Sequence, residues 1–120
     1  MKYTDLISKI KNVSGAREDE SKDALEVVVE HIATNLTDYT RKGFAARLPR
    51  ELQGVAQTEP TMSTIDEDIV DQYMDIDEVD EHHARQTLRA AWLALTEQFD
   101  PESVEDITAE LPPRIKTVLY

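Results

Sequence analysis

The stretch ARQTLRAAWLALTEQF, residues 84–99, decides the fold. Ala84, Leu88, Ala91, Trp92, Leu95 and Phe99 recur at steps of three and four, which lays them along one face of an α-helix. A half-buried strand would alternate apolar and polar residues instead. A second stretch of the same kind, ALEVVVEHIATNL at 24–36, lies 63 residues earlier, with Leu25, Val28, Val29, Ile32 and Leu36 at the matching positions. Its three consecutive valines have β propensity, but the flanking spacing and the length favour helix.

The offset of 63 continues outward without gaps. Before the long helices it pairs Leu6 with Ile69, Ile7 with Val70, Ile10 with Tyr73 and Val13 with Ile76. After them it pairs Phe44 with Ile107, Ala46 with Ala109, Leu48 with Leu111, Pro49 with Pro112 and Leu52 with Ile115. Self-similarity at a fixed period marks repeat architecture. The expected organisation is a single domain over residues 1–120, built from repeats at 1–55 and 64–118. The aperiodic AQTEPTMS stretch supplies a linker at 56–63.

Boundary residues fit this division. Thr64 and Glu67 form a candidate capping box for the opening helix of the second unit. Asp80 is placed to cap the long helix that follows, and Asp100-Pro101 reads as N-cap then first helical residue. Thr37 occupies the corresponding cap position in the first unit, and Gly15 suits the turn after the first helix. Pro49 and Pro112 each end one helix and can start a short terminal one. The expected fold is all-α: a compact helical bundle of two tandem pseudo-symmetric units, each of about three main helices plus a short terminal helix. A single unit of about 60 residues would have a marginal core, so the two faces are expected to bury each other.

These residues resemble a family of small, mostly bacterial proteins catalogued as domain of unknown function twenty-two sixty-seven. The resemblance spans essentially the whole chain. It rests on the long helices ALEVVVEHI (24–32) and ARQTLRAAW (84–92), each followed by a medium helix ending in Leu-Pro, ARLP (46–49) and AELP (109–112), and on STIDEDIV at 63–70. The chain departs from the family at Arg17, where a capping Asp or Ser often stands. The resemblance implies a twin-repeat helical fold and carries over no catalytic residue.

Composition narrows the function. The chain has 120 residues, no cysteine and a formal net charge of −12. Without cysteine, disulfides, thiolate metal sites and thiol nucleophiles are excluded, and a reducing cytoplasm is the expected location. No segment approaches the roughly 20 apolar residues that span a bilayer. MKYTDLISKIKNV, residues 1–13, lacks the apolar run of a signal peptide. Charge is uneven: residues 1–63 carry 9 basic and 10 acidic side chains, and 64–120 carry 4 and 15. Such a surface repels phosphate backbones and anionic lipids, so neither nucleic acid nor membrane is an expected partner.

Candidate chemistry concentrates in two places. Residues 65–81 hold nine carboxylates and no base, among them Asp66, Asp68, Asp71, Asp75 and Asp77. Asp75 and Asp77 superficially open a calcium loop, but its sixth and twelfth positions hold Asp80 and Gln86 where glycine and glutamate are required. These carboxylates read as helix starts and a solvated face. His82 and His83 follow, and one degenerate carboxylate–histidine pair falls short of a di-iron set; a solvated pair is the expectation. The second place is basic: Arg41, Lys42, Arg47 and Arg50, with Tyr39 nearby. No Gly-x-Ser-x-Gly elbow or phosphate-cradling glycine loop is present, and Gly43 has no evident role. No catalytic residue, cofactor or metal is expected. The expected function is a non-enzymatic interaction or regulatory module whose partner is a basic protein or a second copy. The alternative is a small-molecule-binding domain or enzyme with a pocket between the two units, and a DNA-mimicking inhibitor stands third.

Overall fold

A computed structural model of the chain describes residues 2–57 and 68–120, and these contain helices and no strand. The helices are α1 (Tyr3–Ser14), α2 (Glu18–Asn35), α3 (Asp38–Arg47), α4 (Arg50–Gln57), α5 (Ile69–Asp77), α6 (Glu81–Thr96), α7 (Pro101–Glu110) and α8 (Pro113–Leu119). Helices α2, α3 and α4 begin at residues 18, 38 and 50, and α6, α7 and α8 begin 63 residues later in each case. The two Leu-Pro steps fall where each medium helix gives way to a short one.

Helix ends follow local chemistry. Asp68 caps α5 by accepting the Val70 N–H at 2.9 Å. Asp80 accepts the His83 N–H at 2.8 Å, and Asp100 accepts the Ser103 N–H at 2.8 Å. Each satisfies an N–H that the first turn leaves without an intrahelical partner. The Thr64–Glu67 box lies outside the described residues, and the cap of α5 is Asp68. Thr37 stands at the N-cap of α3 but its side chain makes no cap. The carboxylate of Glu110 accepts the Thr37 N–H instead, at 2.6 Å. At α2 the cap works in reverse: Arg17 contributes no side-chain cap, while the Glu20 carboxylate accepts the Arg17 N–H at 2.9 Å.

Two C-termini share one backbone solution. Gly15 closes α1 at φ 74°, and its N–H donates to the Lys11 carbonyl at 2.9 Å. Glu78 closes α5 at φ 54°, and its N–H donates to the Met74 carbonyl at 2.8 Å. Glycine adopts this left-handed conformation freely, whereas a residue with a Cβ is strained there. Glu78→Gly is therefore expected to stabilise the fold by roughly half a kcal/mol, and Gly15→Ala to cost about 1 kcal/mol. No atom lies within 4 Å of a Cβ built on Gly15, so that cost would be purely conformational. Urea denaturation of the two variants checks both signs.

Every described helix contributes to one hydrophobic core. Its centre is the contact between the long helices α2 and α6, where Leu25, Val28, Leu88 and Ala91 are fully buried. Helix α4 packs on α2, and α8 packs on α6. The first helix of each half crosses over: α1 packs chiefly on α6, and α5 packs on α2 as well as on α6. Trp92 is buried as the apolar stripe requires, its ring edge-on to Tyr120 with centroids 6.1 Å apart. Its Nε1 has no hydrogen-bond partner among the described residues.

Candidate functional site

The medium helices α3 and α7 lie antiparallel, and side chains clamp them at both ends. At one end Glu110, the last residue of α7, accepts from the Thr37 N–H and from the Thr40 hydroxyl, the latter at 2.5 Å. At the other end Arg47, the last residue of α3, donates to Asp100 at 3.4 Å and to the Ser103 hydroxyl. The clamps are reciprocal, because Arg47, Thr37 and Thr40 stand 63 residues before Glu110, Asp100 and Ser103. The N–H and hydroxyl donors from Thr37 and Thr40 hold the Glu110 carboxyl below the usual carboxylate range. The Ser103 donors, with Arg47 beside them, do the same for Asp100.

Between the clamps the helices part around a cleft of about 470 Å³. Phe44, Phe99 and Ile107 form its apolar lining, with the two phenyl rings tilted at 47° and 5.7 Å apart. Tyr39, 90% exposed, stands at its edge. Lys42 and Gly43 belong to the α3 wall, and Asp106 to the α7 wall. The walls differ in charge: α3 carries Arg41, Lys42 and Arg47 against a single Asp38, while α7 carries Glu102, Glu105, Asp106 and Glu110 and no base. An apolar floor between walls of opposite sign, with hydroxyls from Tyr39, Thr40 and Ser103, suits binding of an amphipathic group.

The structure divides the basic group read from the sequence. Lys42 and Arg47 border the cleft. Arg41 turns back to Asp38 at 2.5 Å, and Arg50 is exposed at the start of α4, outside the lining. The acidic run also divides. Asp66 lies outside the described residues; Asp68 is a cap; Asp71 and Asp75 are exposed. Asp77 turns inward to a polar junction with α2 and α6.

At that junction the Tyr73 hydroxyl donates to the Glu20 carbonyl at 3.0 Å. The nearly buried Glu20 carboxylate meets His83 Nε2 at 3.4 Å and Arg17 Nε at 3.7 Å. His82 is exposed, but His83 is half-buried against Glu20, which corrects the expectation of a solvated pair. Burial, together with the neighbouring Asp23 carboxyl, pushes the Asp77 carboxyl up to about 6. Burial and the Asp77 charge raise the Tyr73 hydroxyl well above its ordinary value. Elsewhere His31, buried in α2, hydrogen-bonds the Gln72 side chain of α5. Burial lowers its pKa although that bond opposes the shift. Among the described residues no group of three or more histidines and carboxylates is arranged to hold a metal ion.

The arrangement of helices and Leu-Pro steps agrees with comparison at the family level. The family model described as Uncharacterized conserved protein (DUF2267) matches residues 3–118. The chain belongs to the DUF2267 family. The match takes in the eight helices named above except the last residue of α8, so the cleft and the polar junction both lie inside the DUF2267 region. Comparison with curated proteins and with solved structures returned no match. Among the described residues no helix is long and apolar enough to cross a membrane.

The sequence reading missed the α7 wall and the Glu20–His83 contact. A signal for both was present: the offset of 63 that equates Arg47 with Glu110 also equates Glu20 with His83. Two-fold related units place equivalent residues at reciprocal or self-paired contacts.

Proposed function

We propose that this protein is a docking module and that the α3–α7 cleft is its working surface. The observation that carries this reading is Gly43. A glycine inside a helix costs roughly 0.5–1 kcal/mol relative to alanine. Nothing in the fold asks for it here, since no atom lies within 4 Å of a Cβ built at Gly43 and its backbone is helical. What its missing side chain leaves open is the α3 wall of the cleft. A docked group gives that space a use.

Two substitutions test the reading. Gly43→Ala is expected to raise stability by about 0.5–1 kcal/mol, read from thermal unfolding. Gly43→Trp is expected to fill the cleft while the chain stays folded. The probe is anilinonaphthalene sulfonate, an apolar dye with one anionic group, which suits the phenylalanine floor and Lys42. Its fluorescence enhancement should fall with Gly43→Trp and with Lys42→Glu. Unchanged enhancement in a folded Gly43→Trp variant would remove the cleft from consideration.

A second reading is favoured by the cleft's volume of about 470 Å³, which lies in the range of small-ligand pockets. It takes the occupant as a small molecule with an apolar body and a single charge. Mass spectrometry of the protein purified without denaturation distinguishes the two, because a retained small molecule adds its own mass. Both readings treat the halves as copies of one helical unit, supported by the common offset of the helix starts and by the reciprocal clamps.

A further inference from the structure

We infer that a second copy of this chain closes over the α3–α7 cleft, docked about a two-fold axis parallel to the two helices. The inference rests on the docking reading above and commits it to one partner.

Charge selects the geometry. On the α3 wall stand Lys42 and Arg47, the latter also tied to Asp100 within its own chain, while Asp106 stands on the α7 wall and Glu102 and Glu105 are exposed on the same helix. A self-complementary interface must place one patch against itself through a two-fold operation. An axis across the helices would set α3 on α3 and α7 on α7, opposing like charges at both contacts. An axis along the helices sets α3 of each copy on α7 of the other, so that cationic and anionic walls meet twice. Because α3 and α7 are antiparallel within one copy, each helix then also meets an antiparallel neighbour across the interface. The product is a four-helix layer closed over two apolar floors, with the exposed Tyr39 of each copy covered.

The net charge of −12 on each copy opposes association at long range. Added salt screens this repulsion and the attraction between the walls alike. Ionic strength is therefore held fixed, and the charges are exchanged instead. Lys42 and Asp106 are both exposed, so reversing either leaves the core untouched. In Lys42→Glu, α3 loses its net positive charge and a carboxylate faces Asp106 at both contacts; in Asp106→Lys, an ammonium faces Lys42 at both contacts. Mixed in equal amounts, the variants form a pair with two different contacts. One sets the carboxylate introduced by Lys42→Glu against the ammonium introduced by Asp106→Lys. The other keeps the unaltered Lys42 against the unaltered Asp106.

Sedimentation equilibrium provides the readout. The unaltered chain should dimerise, each variant alone should self-associate at least roughly tenfold more weakly, and the mixture should recover the dimer. Circular dichroism of each variant verifies that it is folded. Two outcomes overturn the inference: a chain that stays monomeric up to about 1 mM, or a mixture no better associated than its components. If the chain is monomeric while Gly43→Trp still abolishes dye binding, the cleft docks something else and only this inference falls. If dye binding is also indifferent to Gly43→Trp, the docking reading falls with it.

Discussion

Leu25→Ala and Leu88→Ala should each lower the unfolding free energy by about 3 kcal/mol, among the largest losses available to single substitutions in this chain. Both leucines have no solvent exposure and lie on the two long helices whose contact forms the centre of the core. Truncation removes the transfer free energy of the lost carbons and leaves a cavity that surrounding helices close only in part. A domain of this size has roughly 5–15 kcal/mol in all, so one such change consumes a large share of it. Val13 and Ile76 supply the control. They are 50% and 49% exposed and stand 63 residues apart. Val13→Ala and Ile76→Ala should each cost under about 1 kcal/mol, because little apolar area leaves water there on folding. Urea titration of the four variants reads the contrast. Equal losses at Leu88 and Ile76 would contradict the assigned centre.

Asp77→Asn should make the protein more stable at neutral pH and flatten its pH dependence near 6. Burial and Asp23 raise the Asp77 carboxyl from 3.8 to about 6, and the charge of Glu20 adds to the effect. The other groups at the junction are Tyr73 on the same helix, with Arg17 bordering α2 and His83 on α6. The folded state thus holds a proton that the unfolded chain has released above about pH 4. By linkage this group's favourable contribution is complete below its unfolded pKa and is lost as pH rises through about 6. With allowance for solvent screening of this partly exposed group, the neutral-pH cost is on the order of 1–2 kcal/mol. Asparagine keeps the shape and carries no charge at any pH. Thermal unfolding followed from pH 5 to pH 8 should therefore show a declining melting temperature in the unaltered chain and a shallower decline in the variant. Parallel curves would place the proton elsewhere.

Much of the fold was legible because helix signals are local. The 3–4 spacing of Leu88, Ala91, Trp92 and Leu95, the caps at Asp80 and Asp100, and the Leu-Pro steps each constrain only their own neighbourhood, and the structure shows all of them. Thr37 shows how a local signal can mislead: it stands at the N-cap, but its side chain accepts from no first-turn N–H, and its own N–H donates to Glu110 of α7. The inward turn of Asp77 was available from spacing. It stands one helical turn beyond buried Tyr73, on the same face, although a run of nine carboxylates invites a solvated reading throughout. The cleft was hidden for a different reason. Its floor and walls come from α3 on one side and from Phe99 with α7 on the other, more than 50 residues along the chain, and their meeting depends on how the long helices pack.

The crossing of α1 onto α6 has a consequence for how the chain comes to be folded. During synthesis α1 emerges well before its principal partner, which begins at residue 81. Until α6 has left the ribosome, the apolar face of α1 made by Leu6, Ile7 and Ile10 lacks most of its cover. The leading half therefore has little to gain from settling early, and the native state should arrive in a single cooperative step once α6 is available. A nascent chain stalled before α6 would behave as a client for chaperones, and the same chain released a few dozen residues later would not.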